Sequence, residues 1–472
     1  MPSPATTCFR LLPSLSARVT QCLVAAALLL LSVRGARAQV EASDAGLPSA
    51  QPQQAGTPAQ PTTALPLSWL AFHGSQRTRY ETVDHRYGPT DVGGDQQLAF
   101  RTRFEVQARR PHVWALGEVE DARITLHDSA STVGASHATG VKVLQLHAGV
   151  GRRNLWRRGL DAQIEVGRFS RDLGGRRVFA RQVDRNATTG YDGVIGRLSG
   201  RAWSAQALHL APRLYTYPTF GVDDRFRDTR LSGVYVTSTK AKKANADVYA
   251  FRLADGERAL DEDRRNMVAA GTRVLGALGG SGRVDYEIEV VGQWGHVGGL
   301  VHRAAFVHGQ AAYQWPERPW RPRVMAIFDR ATGDADPNDA RSGTYDPLFG
   351  ARRFELGPSG LYNLVARTNL RSPGAAVILR PMRDMDVTIQ QRRLWLDQAR
   401  DSWQSSTLRD RAGMAGSQIG WQTDLRLRYR WKRFFEFDGA LVILEEGDVP
   451  RRVKPAPAGH TTFLTTALEV RF

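Results

Sequence analysis

Apolar and polar residues alternate along much of this 472-residue chain. In residues 97–108 (QLAFRTRFEVQA), every second residue from Leu98 onward is apolar or threonine, and the residues between them include Arg101, Arg103 and Glu105. Because successive side chains of a β-strand point to opposite faces, this segment predicts a strand with one apolar and one charged face. The segments VDYEIEVVGQW and TDLRLRYR, the latter carrying Arg426 and Arg428, repeat the pattern.

Many of the alternating segments have ten or more residues, which is the length that a tilted strand needs to cross a bilayer. Short connections such as residues 109–111 alternate with long ones such as residues 127–140, as is typical of outer-membrane barrels. We therefore predict an all-β fold, a closed antiparallel transmembrane β-barrel of about eighteen strands with both termini in the periplasm. A soluble sandwich also has alternating strands and is the alternative.

The predicted strands extend to the last residue of the sequence. They are residues 68–83, 97–108, 113–125, 141–150, 160–168, 191–198, 202–210, 231–239, 246–253, 265–277, 283–294, 303–315, 322–330, 362–380, 385–397, 419–431, 434–444 and 461–472. The last segment places Phe472 on its apolar face. An aromatic residue at the end of an amphipathic strand resembles the sorting signal of outer-membrane barrel proteins, which favours a location in the outer membrane of a Gram-negative cell.

The first 38 residues fit a secretory signal peptide. Arg10 and Arg18 make the beginning basic, residues 22–33 (CLVAAALLLLSV) form an apolar core, and residues 36–38 (ARA) fit a small-residue cleavage site. The apolar core is too short for a comfortable transmembrane helix. We therefore expect residues 1–38 to be removed on export.

A flexible leader is predicted to follow the signal peptide. Residues 39–66 are rich in Pro, Ala, Gln and Ser and have no periodicity, whereas residues 67–472 carry the strand pattern of the barrel domain. The two cysteines, Cys8 and Cys22, both lie in the predicted signal peptide. We therefore expect no disulfide and no thiolate zinc site in the exported protein.

The formal net charge of the chain is +17. This charge bears on what the lumen of the barrel contains. Charged strand faces should point to the lumen, since a charged side chain facing lipid near the membrane midplane costs about 2–4 kcal/mol. A wide, water-filled lumen can hold many charges, and arginine-rich linings favour anions. The alternative is that Arg–Glu pairs only brace the wall. A soluble nucleic-acid binder would also be basic, but the signal peptide and the sheet pattern argue against a nucleic-acid partner.

One arginine-rich segment, residues 166–194 (VGRFSRDLGGRRVFARQVDRNATTGYDGV), interrupts the strands. Its central part, Ser170–Gly190, lies on the extracellular side by parity of the strands, and its length and glycines would let it fold into the pore. Ion pairs with Asp172 and Asp184 that hold the loop are the alternative. The arginines that we predict to line the pore and bind anions are Arg101, Arg103, Arg168, Arg176, Arg177, Arg181, Arg185, Arg426 and Arg428.

No catalytic motif is present. The sequence has no H-E-x-x-H, G-x-S-x-G or P-loop pattern, and its eleven histidines are scattered. The segment Asp334–Gly343 is similar to a calcium loop but lacks the spacing and the terminal Glu, so we interpret it as an ordinary turn cluster. We predict no enzyme activity, no cofactor and no metal site, although a Ser–His pair brought together in space would leave no sequence motif.

Several blocks of the sequence carry recognisable motifs. They are Leu98–Ile124 with its EVEDAR motif, the arginine-rich segment 166–194 ending in YDGV, Ala331–Phe354 with TYDPLF, and, more loosely, Gln418–Trp431. Together these blocks resemble the alginate-export family of outer-membrane β-barrels. The resemblance implies an 18-stranded barrel whose electropositive, arginine-lined pore passes the polyuronate alginate from the periplasm to the exterior. The arginines at matching motif positions are Arg101, Arg103, Arg168, Arg176, Arg177 and Arg181.

Three departures from the family pattern leave the substrate open. Tyr191 stands where Phe is usual, Gly350 where Pro is usual, and Gln422 where Glu is usual. Our main hypothesis is a passive outer-membrane channel for anionic solutes that exports an alginate-like uronate polysaccharide. The alternatives are an anion-selective diffusion porin for small solutes, and a barrel enzyme or surface-binding protein with a plugged lumen. The expected partners are outer-membrane lipid, an anionic polysaccharide or small anions, and periplasmic components of polysaccharide export.

Overall fold

The computed structural model describes most of the chain after the predicted leader. The described residues are 68–86, 93–128, 131, 133–155, 159–216, 228–241, 244–279, 283–352, 354–404, 406, 408–453 and 460–472. The predicted signal peptide and leader lie outside them.

The described residues form one sheet that closes on itself as an antiparallel barrel of eighteen strands. The strands are β1 (Leu70–Asp84), β2 (Asp95–Arg109), β3 (Val113–Thr125), β4 (Gly140–Leu155), β5 (Leu160–Phe169), β6 (Gly190–Ser199), β7 (Trp203–Arg213), β8 (Arg230–Ala241), β9 (Ala244–Ala254), β10 (Arg265–Leu278), β11 (Val284–Val297), β12 (Leu300–Gln314), β13 (Arg323–Ala331), β15 (Leu370–Met382), β16 (Met385–Trp395), β17 (Gln418–Trp431), β18 (Phe435–Glu446) and β19 (His460–Arg471). A two-residue strand, β14 (Arg341–Ser342), lies in a loop and pairs in parallel with β12. Antiparallel pairing of β1 with β19 closes the barrel.

The structure confirms the predicted fold class, and most strand bounds agree with the alternation within a few residues. The clear exception is the predicted strand 362–380, since β15 begins at Leu370. Residues 362–369 are instead part of a loop whose apolar side chains, including Tyr362 and Leu364, are fully buried. The apolar residues there pack inside the barrel, so their pattern looks like a strand although they form no ladder.

The distribution of apolar and charged faces is inverted relative to a soluble protein. On β2, Phe104 is 48 % exposed whereas Arg101 is 3 % exposed, and on β13, Phe328 is 41 % exposed whereas Asp329 is fully buried. Each pair belongs to one strand, and its members point to opposite faces. The apolar face is thus outside, where lipid covers it, and the charged face is inside.

Short turns and long loops lie at opposite ends of the barrel. Residues 383–384 connect β15 to β16 at the end that also holds the first and last strand termini, whereas the loops 170–189 and 332–369 lie at the other end. The connection Gly298–Gly299 between β11 and β12 is an exception at the long-loop end, and both glycines have positive φ. We call these two ends the turn end and the loop end.

The helical segments are short and lie in connections. They are the α-helix Asp448–Val453 and the 3-10 turns Asp261–Asp263 and Phe354–Leu356. Among the described residues, no helix is both long enough and apolar enough to cross a membrane.

Two long loops fold into the barrel, and apolar clusters hold them there. Val178 and Phe179 of loop 170–189 are buried against inward-facing side chains such as Tyr191 and Phe251. Gly174, at φ +50°, allows this packing, because a Cβ there would lie 2.0 Å from the hydroxyl oxygen of Tyr235.

Loop 332–369 is fixed against the other side of the barrel. Its residues Leu361, Tyr362 and Leu364 join a cluster with Val83 of β1 and Phe463 of β19. The Tyr362 hydroxyl also donates a hydrogen bond of 2.6 Å to Gln422 of β17. The two loops therefore narrow the lumen toward the loop end.

Candidate functional site

A cavity of about 450 Å³ lies inside the barrel, between the two inward loops and the wall formed by β1–β3 and β17–β19. Charged side chains dominate its lining, with eleven arginines and seven carboxylates. The arginines are Arg77, Arg79, Arg101, Arg103, Arg176, Arg181, Arg185, Arg352, Arg426, Arg428 and Arg471, and the acidic residues are Glu81, Glu105, Glu118, Asp184, Glu436, Asp438 and Glu469. The lining thus has an excess of fixed positive charge.

Arginines of the wall hold loop 170–189 through its backbone. Arg77 on β1 donates hydrogen bonds of 3.2 Å to the Val183 carbonyl and 2.9 Å to the Arg185 carbonyl. Arg101 on β2 donates to the same two carbonyls at 2.8 and 3.1 Å, and its guanidinium lies 3.3 Å from Glu469. These contacts place a stretch of loop backbone against the cationic strands, and Arg77, unlike Arg101, has no ion pair among the described residues.

Arg177 is the most tightly bound arginine of the loop. Its side chain is fully buried, with Nη1 at 2.5 Å from Glu287 and 2.7 Å from Glu289, both on β11, and Nη2 at 2.9 Å from Glu355. Burial by itself lowers the pKa of Arg177, but Glu355, Glu287 and Glu289 raise it well above its usual value. Arg177 therefore ties loop 170–189 to β11 and to loop 332–369.

Arg176 and Arg181 face the cavity, and both are paired. Arg176 lies 3.2 Å from Asp172 and 3.3 Å from Asp184, within its own loop. Arg181 pairs with Glu118 of β3. Asp172 and Asp184, the carboxylates that the sequence offered as ion-pair partners within the loop, are therefore both paired with Arg176. The loop nevertheless lies inside the barrel, so the two alternatives occur together.

Arg185 and Arg352 make no ion pair among the residues that the structure describes. Burial lowers the pKa of both side chains, and that of Arg352 is lowered to about 9, with a further contribution from the charge of Arg185. Arginine side chains are protonated at neutral pH in proteins, and no described carboxylate lies within ion-pair distance of either guanidinium. A mobile anion is the group that would best offset their charges.

The predicted arginines of the wall lie in a ladder of ion pairs. Arg103 contacts Glu120 at 2.7 Å and Arg426 pairs with Asp438. Arg428 lies 3.6 Å from the same Asp438. At the partly exposed pairs of Arg426 and Arg428 with Asp438, an anion that enters the lumen would compete with the carboxylate for the guanidiniums.

The structure brings together seven of the nine arginines that the sequence singled out. Arg101, Arg103, Arg176, Arg181, Arg185, Arg426 and Arg428 line the cavity. Two do not, and the prediction is corrected for them. Arg177 is buried in ion pairs with its three carboxylate partners and does not reach the cavity. Arg168 faces outward on β5, where its Nε contacts Asp192 at 2.6 Å, because the inward positions of β5 are those of its neighbours Gly167 and Phe169.

Four arginines that line the cavity were not among those predicted from the sequence. Arg77, Arg79 and Arg471 line the cavity from β1 and β19. Their signal was the same alternation that singled out Arg101, in SQRTRYE and LEVRF. Arg352 lies in loop 332–369 and follows no strand pattern, so only the packing of the loop brings it to the cavity.

The arrangement offers fixed cations rather than metal ligands. Among the described residues, no group of three or more His, Cys, Asp and Glu side chains is placed to hold a metal ion. Guanidinium groups bind carboxylate or phosphate oxygens through two parallel hydrogen bonds. A lining of this kind is chemically suited to the reversible binding of oxyanions.

Comparison with known proteins agrees with this architecture. The model of a family described as alginate export matches residues 68–461. None of the curated proteins matches the sequence significantly.

Solved structures from Pseudomonas aeruginosa share the fold at low identity. OpdK with vanillate is 10 % identical, with a TM-score of 0.56, and the match covers 85 % of this chain and 99 % of that chain. OpdQ is 8 % identical, with a TM-score of 0.57 and coverage of 86 % and 99 %. OpdL is 11 % identical, with a TM-score of 0.54 and coverage of 86 % and 99 %. At these identities, the likeness shows the fold alone.

Proposed function

The chain belongs to the alginate export family of outer-membrane barrels, and from that premise we propose that it passes anionic solutes through an arginine-lined lumen. A family model that covers residues 68–461 spans nearly the whole barrel. The protein is an outer-membrane channel, and its family and fold are those of an export channel rather than of an enzyme. The proposal concerns what the channel carries.

The observation that carries the proposal is the pair Arg185 and Arg352. Both lie on inward loops at the cavity, and neither has an ion pair among the described residues. A partly buried charge without an ion-pair partner is costly, so a protein that needed arginine only for bracing would pair it. An anion in transit offsets this cost while it is bound.

The remaining arginines would form the path along the wall. The run of paired strands β17–β18–β19–β1–β2 carries Arg101, Arg426, Arg428 and Arg471, and their carboxylate partners are also in the lining. Successive sites of moderate strength suit conduction, since binding must favour entry but not prevent exit. A polyanion could exchange one guanidinium for the next, while Glu436, Asp438 and Glu469 limit how tightly it is held.

For the substrate we propose a uronate polysaccharide of the alginate type, exported from the periplasm. The family membership and the arginine-rich lining of the cavity, whose guanidinium groups match the carboxylates of a uronate, support this substrate. Export also implies outer-membrane lipid around the barrel and periplasmic export components that deliver the polymer to the turn end.

Diffusion of small anions is the second candidate. The cavity volume of about 450 Å³ falls in the range of about 300–1,000 Å³ that small-molecule sites occupy. Loops 170–189 and 332–369 narrow the lumen, which favours small solutes over a polymer unless the loops move. The same arginines would serve both candidates.

Planar bilayer recordings with carbohydrate blockers distinguish the two candidates. We expect oligouronates added on the turn side to interrupt the ionic current, with events that lengthen as the chain grows, whereas neutral oligosaccharides of equal length should have little effect. Block by monomeric uronate but by no oligomer would favour the small-anion channel. Equal block by neutral and acidic oligomers would contradict a charge-based pathway.

A further inference from the structure

A cluster of arginine and tryptophan side chains lies on the outside of the barrel near its loop end. It consists of Arg330 on β13, Arg371 on β15 and, on β16 and β17, Arg393, Trp395 and Trp421. We call it the arginine–tryptophan patch. None of these residues lines the cavity described above.

The register of the strands places the patch on the outer face. Arg330 alternates with the buried residues Asp329 and Ala331 and shares its face with Phe328, which is 41 % exposed. Arg330 pairs across the sheet with Arg371.

The row of outward positions continues across the next strands. Arg371 pairs with Trp395 on β16. Two residues earlier on the same face, Arg393 pairs with Trp421 of β17. The patch therefore spans four adjacent strands.

The patch carries more positive than negative charge. Arg330 and Arg371 share one carboxylate, Asp397, at 2.8 and 3.5 Å. Asp397 is 2 % exposed, whereas the two guanidinium side chains are 50 % and 47 % exposed. Both arginines therefore keep hydrogen-bond donors that face outward.

Arg393 has aromatic neighbours instead of a carboxylate. Its guanidinium carbon lies 4.5 Å from the ring centre of Trp395 and 5.1 Å from that of Trp421. The structure gives it no ion pair among the described residues, and its Nε is buried without a hydrogen-bond partner. Two indole rings attract a cation but do not neutralise it.

Further arginines stand on the outer face near the loop end. They are Arg123, Arg168, Arg213, Arg230, Arg252 and Arg303, each within four residues of the loop end of its strand. Phe104, Val166 and Val234, which lie on the same face closer to the membrane centre, are exposed and apolar. The cationic positions thus form an arc from β3 to β16 at one membrane interface, where tryptophan is also favoured.

We infer that the arginine–tryptophan patch binds the phosphate groups of a phosphorylated glycolipid in the outer leaflet of the membrane. The predicted periplasmic location of both termini places the loop end on the outside of the cell, so the arc lies at the headgroup level of that leaflet. Guanidinium forks match phosphate oxygens, and the indole rings cover the junction between headgroup and acyl chains. A second copy of the chain would contact one sector of the wall, whereas cations spread around the barrel fit a lipid annulus.

The inference is tested with the full chain purified in a neutral detergent. Native mass spectrometry would count bound lipid as bisphosphorylated lipid A is titrated, with dephosphorylated lipid A and phosphatidylglycerol as comparison probes. The variant is R330Q/R371Q/R393Q, and the matched control is R109Q/R110Q/R152Q, which removes three exposed arginines at the turn end.

We expect the patch variant to bind bisphosphorylated lipid A about tenfold more weakly than the parent, and the control to bind it as the parent does. Dephosphorylated lipid A should bind both variants equally. Equal loss in the control, tighter binding of phosphatidylglycerol than of lipid A, or loss of a dimer in place of lipid would overturn the inference. If the triple variant does not fold, R393Q alone should still weaken lipid A binding, and an unchanged affinity would also overturn it.

Discussion

The guanidinium of Arg177 lies 2.7 Å from the carboxylate of Glu289, and the Arg177 side chain is completely shielded from solvent. The two residues belong to different parts of the barrel, an inward loop and the wall strand β11. Their contact, with those to Glu287 and Glu355, fixes where loop 170–189 stands in the lumen. The position of this loop determines which other arginines meet a passing solute.

Removing the charge of Arg177 should release the loop. The variant R177Q leaves Glu287, Glu289 and Glu355 buried without their shared cation, and breaking a buried ion pair from one side costs about 3–5 kcal/mol. We expect a lower temperature for the heat-induced shift in gel mobility of the folded barrel, and larger fluctuations of the single-channel current.

The matched control is R176Q, which removes the neighbouring and partly exposed arginine. It should change the transition temperature much less. If both variants behaved as the parent does, Arg177 would not hold the loop. The double variant R177Q/E289Q removes one of the carboxylates that R177Q leaves without its cation, so it should be at least as stable as R177Q. A lower stability of the double variant would show that the unpaired carboxylates do not cause the loss of stability in R177Q.

Neutralising the two unpaired loop arginines should weaken the preference for anions. Arg185 and Arg352 face the cavity without an ion pair among the described residues, so their field acts on a mobile ion rather than on a fixed carboxylate. We expect R185Q and R352Q each to lower the ratio of chloride to potassium permeability, and R352K to retain it. The control R252Q alters an exposed arginine on the outer face and should leave the ratio unchanged.

Neutralising a cavity carboxylate should have the opposite effect. Glu436 lies 2.9 Å from Arg471 and 3.6 Å from Arg428, and its side chain is 20 % exposed. The variant E436Q removes one of two carboxylates from each guanidinium, since Arg471 keeps Glu469 and Arg428 keeps Asp438, so the anion preference should rise and oligouronate block should lengthen. A decrease in either quantity would indicate that the arginines only brace the wall, because bracing is lost when either partner is removed.

The loop should loosen at acidic pH through Asp184. Burial raises the pKa of this carboxyl, but Arg176, Arg426 and Arg77 together hold it below its usual value. A carboxyl whose pKa is lower in the folded state stabilises that state in full above its ordinary pKa of about 4, and the effect is lost as the pH falls from there through the lower pKa of the folded state. We expect current fluctuations to increase as the pH falls from 6 to about 3, and D184N to show part of that increase already at pH 6. A pH response of D184N equal to that of the parent would show that Asp184 is not the titrating group.

The strands of the barrel could be predicted from the sequence because the alternation of apolar and polar residues is a local property of each strand. β3 was predicted with its observed bounds of Val113 and Thr125, and the inward position of Arg101 followed from the same period of two. The prediction of a strand at residues 362–369 was wrong. The apolar pattern of a buried loop is set by the surface on which the loop packs, and that surface includes side chains of β1 and β19, which are distant in the sequence.

The site was predictable for wall residues and much less so for loop residues. Arg176 and Arg177 are adjacent in the sequence, yet Arg176 faces the cavity whereas Arg177 is buried in ion pairs with carboxylates. Arg176 has a positive φ of 63°, so the chain turns sharply between these two side chains. No periodicity encodes such a turn, and the carboxylates that receive Arg177 lie more than a hundred residues away in the sequence.

The measurement that tests anion passage most directly is the zero-current potential of single channels in a planar bilayer under a salt gradient, for the parent and for R185Q/R352Q. We predict that the parent gives the sign of an anion-selective channel and that the double variant moves the potential toward that of a non-selective one, with the folded barrel confirmed by gel mobility. A parent potential with the sign of a cation-selective channel, or an identical potential in the double variant, would contradict the proposed arginine pathway.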